Sequence, residues 1–242
     1  MNHYKIADLG VEILSLQKTL NVRSKPYVVK NIDSVDVKIH MTDKKLKTIK
    51  DKHSELSFDE LEYIYTGFAF SNSILDFNGF CLHSSAVSLD NKAFLFSAPC
   101  GTGKSTHTEL WRQYFGKDRT FIINDDKPAI RLIDDVFYVY GTPWSGKNNL
   151  HSNVKVPLEA IVFIEQSKEN RVELLSDREA VKMLISQSLR PFSSNINGMG
   201  NLLNIIDILL KKIPVYRLRC NISMEAVELI YNTVNKLKTL SF

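Results

Sequence analysis

The sequence predicts an α/β fold built around a phosphate-binding loop, with a small β-rich region at the N-terminus. Three observations support this class. An apolar, β-type run at residues 93–96 leads into the glycine-containing segment 97–106. Residues 107–111 then have the composition of a helix start, and further strand-like and helical runs follow. With 242 residues, 44% of them hydrophobic and 24% charged, the chain is long enough to bury a full core.

We expect two regions, residues 1–56 and residues 57–242. The first region contains no recognisable catalytic or binding motif. Its β-type segments cover residues 4–14, 26–29 and 35–40. The second opens on a capping box, in which the Ser57 hydroxyl and the Glu60 carboxylate satisfy N–H groups at a helix start. Apolar residues at helical spacing predict that this helix continues until Gly79 stops it.

The net charge of +4 is mild, and the basic residues concentrate at residues 44–52. A nucleic-acid patch is one interpretation of this run. The run contains no aromatic residues and lies between a strand and a helix cap, which favours a solvated surface segment without a nucleic-acid partner.

The apolar stretches, such as residues 202–210, are interrupted by polar residues and are too short to span a membrane. The first residues lack the features of a secretory leader, so we expect a cytoplasmic protein without a membrane partner.

Three cysteines without paired metal spacing predict reduced, mostly packed thiols. Cys100 is either a thiol activated by neighbouring N–H dipoles or a small residue that fits its loop.

The phosphate-binding pattern covers residues 98–106, with Ala98 at the position where the pattern begins with glycine. Gly101 and Gly103 supply flexibility where the backbone approaches a phosphate. Lys104 would reach the β- and γ-phosphates of ATP, and the Ser105 hydroxyl would bind Mg²⁺. The predicted nucleotide-binding residues are Ala98, Pro99, Cys100, Gly101, Thr102, Gly103, Lys104, Ser105 and Thr106.

Residues 80–89 and 92–97 predict a hairpin whose second arm delivers this loop. His83 in the first arm would then lie close to the phosphates. It is either a functional group or a satisfied strand side chain.

The apolar run before residue 124 ends in Asp125 and Asp126. One carboxylate beside a phosphate-binding loop can hold Mg²⁺, and the second can accept the proton of an attacking hydroxyl. The pair at 134–135 lies between two strand-like runs, which predicts a hairpin turn without a catalytic role.

The next strand ends in a segment with glycine, lysine and hydroxyl groups, which predicts substrate contacts from Trp144, Ser145, Gly146 and Lys147. The alternative is a long turn stapled by Trp144. Arg190, at the end of a predicted helix over 177–189, is either charge-stabilising in catalysis or a C-terminal helix cation. Apolar patterning predicts the remaining strands at 158–164 and 215–219 and the remaining helices at 199–211 and 224–238.

Five segments together resemble the catalytic domain of HPr kinase/phosphorylase and its shorter relatives. They are residues 82–87, the turn at 90–92, residues 96–106, residues 124–126 and residues 140–146. The resemblance covers about residues 80–220, and it includes a histidine fifteen positions before the start of the phosphate-binding loop.

This resemblance implies a P-loop core related to ATP-dependent phosphoenolpyruvate carboxykinases, and phosphoryl transfer from ATP to a serine hydroxyl. Lys104 would bind the phosphates and Ser105 the metal. Asp125 and Asp126 would share the roles of metal-associated carboxylate and general base, with His83 near the transferred phosphate. Related enzymes assemble, so the resemblance is compatible with a homo-oligomer.

The chain departs from the full-length enzymes in two respects. Its N-terminal region is much shorter, and it lacks the glycine- and arginine-rich segment that accompanies binding of the carrier protein HPr. Both departures argue for a different acceptor.

The leading hypothesis is a Mg·ATP-dependent kinase that phosphorylates a hydroxyl of a peptide, a protein or a small metabolite. A second hypothesis is a catalytically inactive nucleotide-binding regulatory module; the intact Lys104, Ser105 and aspartate pair argue against it. A third is a carboxykinase-like metabolic enzyme, which would need a second metal and an arginine-lined carboxylate pocket.

Overall fold

The computed structural model describes residues 2–14 and 17–239. The strands are β1 (Asn2–Ile6), β2 (Leu9–Leu14), β3 (Val37–His40), β4 (Gly79–Cys81), β5 (Ser84–Leu89), β6 (Lys92–Ser97), β7 (Thr120–Asn124), β8 (Ala129–Ile133), β9 (Val136–Tyr140), β10 (Lys155–Gln166), β11 (Arg171–Leu174) and β12 (Val215–Cys220). The helices are α1 (Lys18–Arg23), α2 (Asp43–Lys50), α3 (Phe58–Ser73), α4 (Lys104–Phe115), α5 (Asp177–Gln187), α6 (Gly198–Leu210) and α7 (Met224–Thr239).

The long strand β10 joins two parts of a curled sheet. Neighbouring strands follow the order β4-β8-β9-β10-β6-β5-β7, while β12 also pairs with β10, and β11 with β12. Strands β6, β10 and β12 run parallel, and the other pairings of this sheet are antiparallel. The mixed α/β class predicted from the sequence is confirmed.

Helices cover both faces of the central strands. On β6, Phe94 and Phe96 pack into the cluster that contains Trp111 of α4 and residues of α7. Leu95 points to the opposite face, where its cluster contains Leu184 of α5 and residues of α6. This alternation follows from the two-residue repeat of a strand, and it accounts for the continuous apolar run before the loop.

The N-terminal region is less β-rich than predicted. Its sheet has the order β1-β2-β3, but α1 and α2 belong to the same region. Residues 26–29, predicted as a strand, include part of a 3₁₀ turn, because Pro26 suits the first turn of such a helix. A buried cluster joins Val11 of this sheet to Phe70 of α3 and Trp144. The two regions therefore share a core, and the division at residue 56 stays a prediction.

The capping box at Ser57 and Glu60 is present at the start of α3. The end of that helical segment differs from the prediction. A 3₁₀ turn, Ile74–Phe77, follows α3. Asn78, with φ 53°, has the left-handed conformation that ends the helical segment, a role that was predicted for Gly79. Gly79 already belongs to β4, where an added Cβ would lie 2.8 Å from the Ile130 carbonyl oxygen. Asparagine tolerates the left-handed conformation, and close strand packing requires the glycine.

The predicted hairpin before the loop is formed by β5 and β6, with Asp90 and Asn91 both at positive φ. Its first arm is shorter than predicted: residues 80 and 81 belong to β4, which pairs with β8, and His83 lies between β4 and β5. The pair at 134–135 forms the turn between β8 and β9, as predicted. The later helices and strands begin and end within a few residues of their predicted bounds, and β11 was not predicted.

The cysteines are free thiols. Cys81 and Cys220 are buried, and burial raises the pKa of each to about 11, whereas Cys100 is exposed in the loop. Among the described residues, no helix combines the length and the apolar character needed to cross a bilayer.

Candidate functional site

Residues 98–106, called the glycine loop below, connect the carboxyl end of β6 to the start of α4. Gly101 and Gly103 have φ of 79° and 108°, so the loop uses the conformations that favour glycine. A Cβ at either position would meet no atom within 4 Å, which shows that the space beside the loop is open. Within the described structure no side chain caps α4 at Gly103, and the first N–H groups of a helix lack intrahelical partners.

The Lys104 side chain folds back onto this loop. Its Nζ donates to the carbonyl oxygens of Ala98 at 2.8 Å and Pro99 at 3.2 Å. Burial lowers the pKa of Lys104, while the nearby charges of Asp125 and Asp126 act in the opposite direction. The ammonium group is therefore held against the carbonyl oxygens of the loop.

Asn124, the last residue of β7, shapes the turn that carries these carboxylates. Its Oδ1 accepts hydrogen bonds from the backbone N–H groups of Asp126 and Lys127, at 2.9 and 2.8 Å. Its amide donates to the carbonyl and hydroxyl oxygens of Thr142. The buried amide of Asn124 thus holds this turn against the end of β9. Asp125 and Asp126 therefore lie together at the end of β7.

Asp125 is connected to helix α4 through two hydroxyl groups. Ser85 on β5 donates to Asp125 Oδ1 at 2.7 Å, and its oxygen lies 2.9 Å from the Thr108 hydroxyl on α4. Asn148 donates to the other carboxylate oxygen at 3.3 Å. Ser85 and Thr108 were not among the predicted site residues, although hydroxyl groups in an otherwise apolar strand were a signal for Ser85.

Asp126 lies between two groups that can carry positive charge. Its carboxylate forms an ion pair with Lys127, and its Oδ1 lies 3.5 Å from His83 Nε2. The other ring nitrogen of His83 is 3.1 Å from Gln187 Oε1. Burial, and secondarily the Lys104 charge, holds the pKa of His83 below its usual range. The structure thus brings His83, Lys104, Asp125 and Asp126 together.

The segment predicted to contact substrate lies in residues 141–149, called the Trp144 loop below. The Trp144 indole is buried, stacks on Phe70 with ring centroids 5.0 Å apart, and donates to Thr66 at 3.2 Å. These contacts match the alternative in which packing of Trp144 holds the turn in place, and not a substrate contact by Trp144. A buried indole leaves no surface for a ligand. Gly146 lies against Asp126, and Lys147 is exposed. Within the described residues, the buried Ser145 hydroxyl has no hydrogen-bond partner.

The Trp144 loop is held by hydrogen bonds to two residues, Arg23 and Tyr63, that were not among the predicted site residues. Arg23 of α1 donates to the Gly146 carbonyl oxygen at 2.5 Å and to the Tyr63 hydroxyl at 2.7 Å. The Gly146 N–H in turn donates to that hydroxyl at 3.2 Å. Because 123 residues separate Arg23 from Gly146, no local pattern could have indicated this contact.

Arg190 lies elsewhere. The Leu189 N–H donates to the Cys81 carbonyl oxygen, after which the chain turns onto α3. The exposed Arg190 borders a surface groove with residues such as Phe68, so in the described part of the chain its surroundings are not those of His83 and Lys104. Within the described residues, no contact between Arg190 and the other predicted site residues is found.

Two further features surround the glycine loop. A cavity of about 410 Å³ lies beside it, bordered among others by Thr102, Leu110, Ile164 and Asn221. The Ser105 hydroxyl is exposed at the start of α4. Among the residues described, no group of three or more histidine, cysteine or carboxylate side chains is arranged to hold a metal.

Comparison with known proteins gives one matching family model and 61 matching chains of solved structures. No curated protein matches the chain. The structure of the Hpr(Ser) kinase/phosphatase from Coxiella burnetii is similar over 66% of this chain and 91% of that chain, with a TM-score of 0.33 and 9% identity. The model of the family described as SynChlorMet cassette protein ScmC matches residues 68–235, which is more than half of the chain. The chain therefore belongs to the ScmC family.

Proposed function

We propose that this protein is a Mg·ATP-dependent kinase that transfers the γ-phosphate to a hydroxyl group of a peptide, a protein or a small metabolite. The observation that carries this proposal is the hydrogen-bonded path from Thr108 through Ser85 to Asp125. This path links α4, the helix that follows the open glycine loop, to the turn that carries Asp125 and Asp126. Phosphoryl transfer needs both parts, one for the donor phosphates and one for the acceptor hydroxyl.

The glycine loop has the features of a P-loop for the phosphates of ATP. Its two glycines at positive φ leave the backbone accessible, and the uncapped start of α4 offers N–H groups and a positive dipole end. The neighbouring cavity of about 410 Å³ has both apolar and polar walls, which suits a nucleoside.

The donor groups also suit Mg²⁺, which prefers oxygen ligands and keeps several waters. The exposed Ser105 hydroxyl and an Asp125 carboxylate oxygen would hold it together with phosphate oxygens. When bound, Mg²⁺ neutralises charge on the transferred phosphoryl group. Asp125 is held for this role by Ser85 and Asn148.

Lys104 and Asp126 would act on the two sides of the reaction. Lys104 would exchange its loop carbonyl contacts for the β- and γ-phosphates and stabilise their charge. Asp126 would accept the proton as the O–H bond of the acceptor breaks and its oxygen bonds to the γ-phosphorus. The bond from the γ-phosphorus to the bridging oxygen breaks, and ADP leaves. His83 Nε2, at 3.5 Å from Asp126, is placed to take the proton onward.

The proposal is tested by incubating the protein with γ-labelled ATP and an extract of the cells that produce it. We expect Lys104-dependent label in a protein, peptide or metabolite fraction, with Lys104→Ala as the control. Tight ATP binding with neither ADP release nor labelled product would instead indicate a binding module and overturn the kinase assignment.

A further inference from the structure

An apolar groove opens on the surface formed by α3 and the segment after α5. Its volume is about 370 Å³. The apolar side chains that line it are Leu56, Ile64, Tyr65, Phe68 and Phe192. Ile64, Phe68 and Phe192 keep 37%, 38% and 42% of their surface exposed, which is unusual for a contiguous group of large apolar residues.

The groove is preformed. Ile64 and Phe68 are four residues apart on α3, so they form one ridge along the helix. The opposite wall is held in place because the Phe192 N–H donates to Asn72 Oδ1 of α3 at 3.0 Å. An occupant would not have to order these walls first, which favours binding.

Arg190 contributes a positive charge to the groove. It is exposed and has no ion pair within the described residues. Among the described lining residues none is a carboxylate. His53 and Tyr65 also carry polar groups, and His53 Nδ1 lies 3.7 Å from the Glu55 carboxylate. Helix α2, which carries four lysines, packs beside α3 through Leu46 and Ile49. An occupant with carboxylates next to apolar side chains would match this surface.

The groove is also connected to the proposed active site. The chain that forms its wall leaves α5 at Gln187, whose side chain contacts His83. Two residues later, Leu189 pairs with Cys81 of β4, and Arg190 follows directly. The residues that form this wall of the groove therefore follow, within a few positions of the chain, the residue that contacts His83.

We propose that this groove binds a segment with both apolar and acidic side chains, and that this segment belongs to the polypeptide that carries the acceptor hydroxyl. This inference rests on the proposed kinase function and narrows its acceptor to a peptide or protein. Large apolar side chains of the substrate fill the space between Phe68 and Phe192, and a carboxylate pairs with Arg190. The docking segment is separate from the phosphorylated residue, which must reach Asp126.

The test measures fluorescence anisotropy of a short fluorescein-labelled peptide in which leucine and phenylalanine alternate with glutamate, without ATP. We expect saturable binding that weakens at least about tenfold in Phe68→Ser and in Arg190→Glu. Arg178→Glu, which changes another exposed arginine, on α5 and with no ion pair in the described chain, is the matched control and should bind like the wild type. A peptide with lysine in place of glutamate should not bind.

Several results would overturn the docking proposal. One is equal binding of the lysine and glutamate peptides, and another is unchanged affinity in Phe68→Ser. Sedimentation showing that Phe68→Ser dissociates a dimer, without an effect on peptide binding, would assign the groove to a second copy of the chain. Stronger displacement of the probe by a free fatty acid than by unlabelled peptide would assign it to a lipid. Because the assay contains no ATP, these outcomes are independent of the nucleotide titrations that test the kinase function.

Discussion

The Ser85 hydroxyl donates a 2.7 Å hydrogen bond to Asp125 Oδ1 in a region where both residues are buried. Removing a donor from a buried carboxylate leaves an unsatisfied charge, which costs about 1–3 kcal/mol or more. We therefore expect Ser85→Ala to lower the free energy of unfolding by that amount and to reduce phosphoryl transfer. Urea denaturation and label transfer measure the two effects.

Ser88 provides the matched control. It lies on the same strand and is equally buried, but its hydroxyl has no hydrogen-bond partner within the described residues. Ser88→Ala should leave stability unchanged or raise it, because it removes an unsatisfied group. Equal destabilisation by both substitutions would contradict the role assigned to the Ser85–Asp125 bond.

Arg23 is expected to position the Trp144 loop and not to touch the reacting atoms. Arg23→Ala removes the donor to the Gly146 carbonyl oxygen, so we expect a lower kcat with little change in the affinity for ATP. Arg23→Lys should recover part of the kcat, because it retains one donor at this position. Lys25→Ala, an exposed cation nearby, is the control and should behave as the wild type. A purely structural role would instead give a loss that tracks thermal stability.

Gly146 has φ +73°, and a Cβ there would lie 3.0 Å from the Asp126 Cβ. Gly146→Ala should cost about 1–2 kcal/mol of stability because of the left-handed backbone, and it should also displace Asp126 and lower transfer activity. Gly200→Ala, in α6 with open space around the added Cβ, should be neutral or stabilising. Full activity in Gly146→Ala would show that Asp126 does not depend on this contact.

His107 gives stability a defined pH dependence. It is buried on α4, its Nε2 accepts a hydrogen bond from Trp111 at 3.2 Å, and burial lowers its pKa from 6.5 to about 4. Between these values the unfolded chain binds a proton that the folded chain does not. Stability contributed by this residue is therefore present above pH 6.5 and is lost as the pH falls towards 4.

We expect His107→Gln, which keeps an acceptor for Trp111, to reduce that slope by about 1.4 kcal/mol per pH unit. Urea denaturation of both proteins at pH values from about 4 to 7 measures it. Since the pKa values of His83 and His151 are also lowered, only the difference between the two curves reports on His107. Parallel curves would refute the assignment.

The elements that the sequence predicted correctly are those encoded by local pattern. The apolar run of β6, the glycines after it and the start of α4 are adjacent in the chain, so their order could be read directly. The capping box at Ser57 and the turn at 134–135 are equally local. Asp125 and Asp126 were identified because they end an apolar strand.

The parts that were missed depend on contacts between distant segments. Ser85 reaches Asp125 across 40 residues, and Arg23 reaches Gly146 only because the N-terminal sheet shares a core with α3. The burial of Trp144 depends in the same way on Phe70 and Thr66. Nor could the pattern around Arg190 show that the chain turns onto α3 and away from the glycine loop.

In the proposed function the glycine loop, with Lys104 and Ser105, holds the phosphates of Mg·ATP. Isothermal titration of ATP into the wild type and Lys104→Ala, each with and without Mg²⁺, tests it most directly. We expect binding that strengthens with Mg²⁺ and weakens at least about tenfold in Lys104→Ala, since a buried cation is removed from the phosphate site. Absence of ATP binding by the wild type, or equal affinity in the variant, would contradict it.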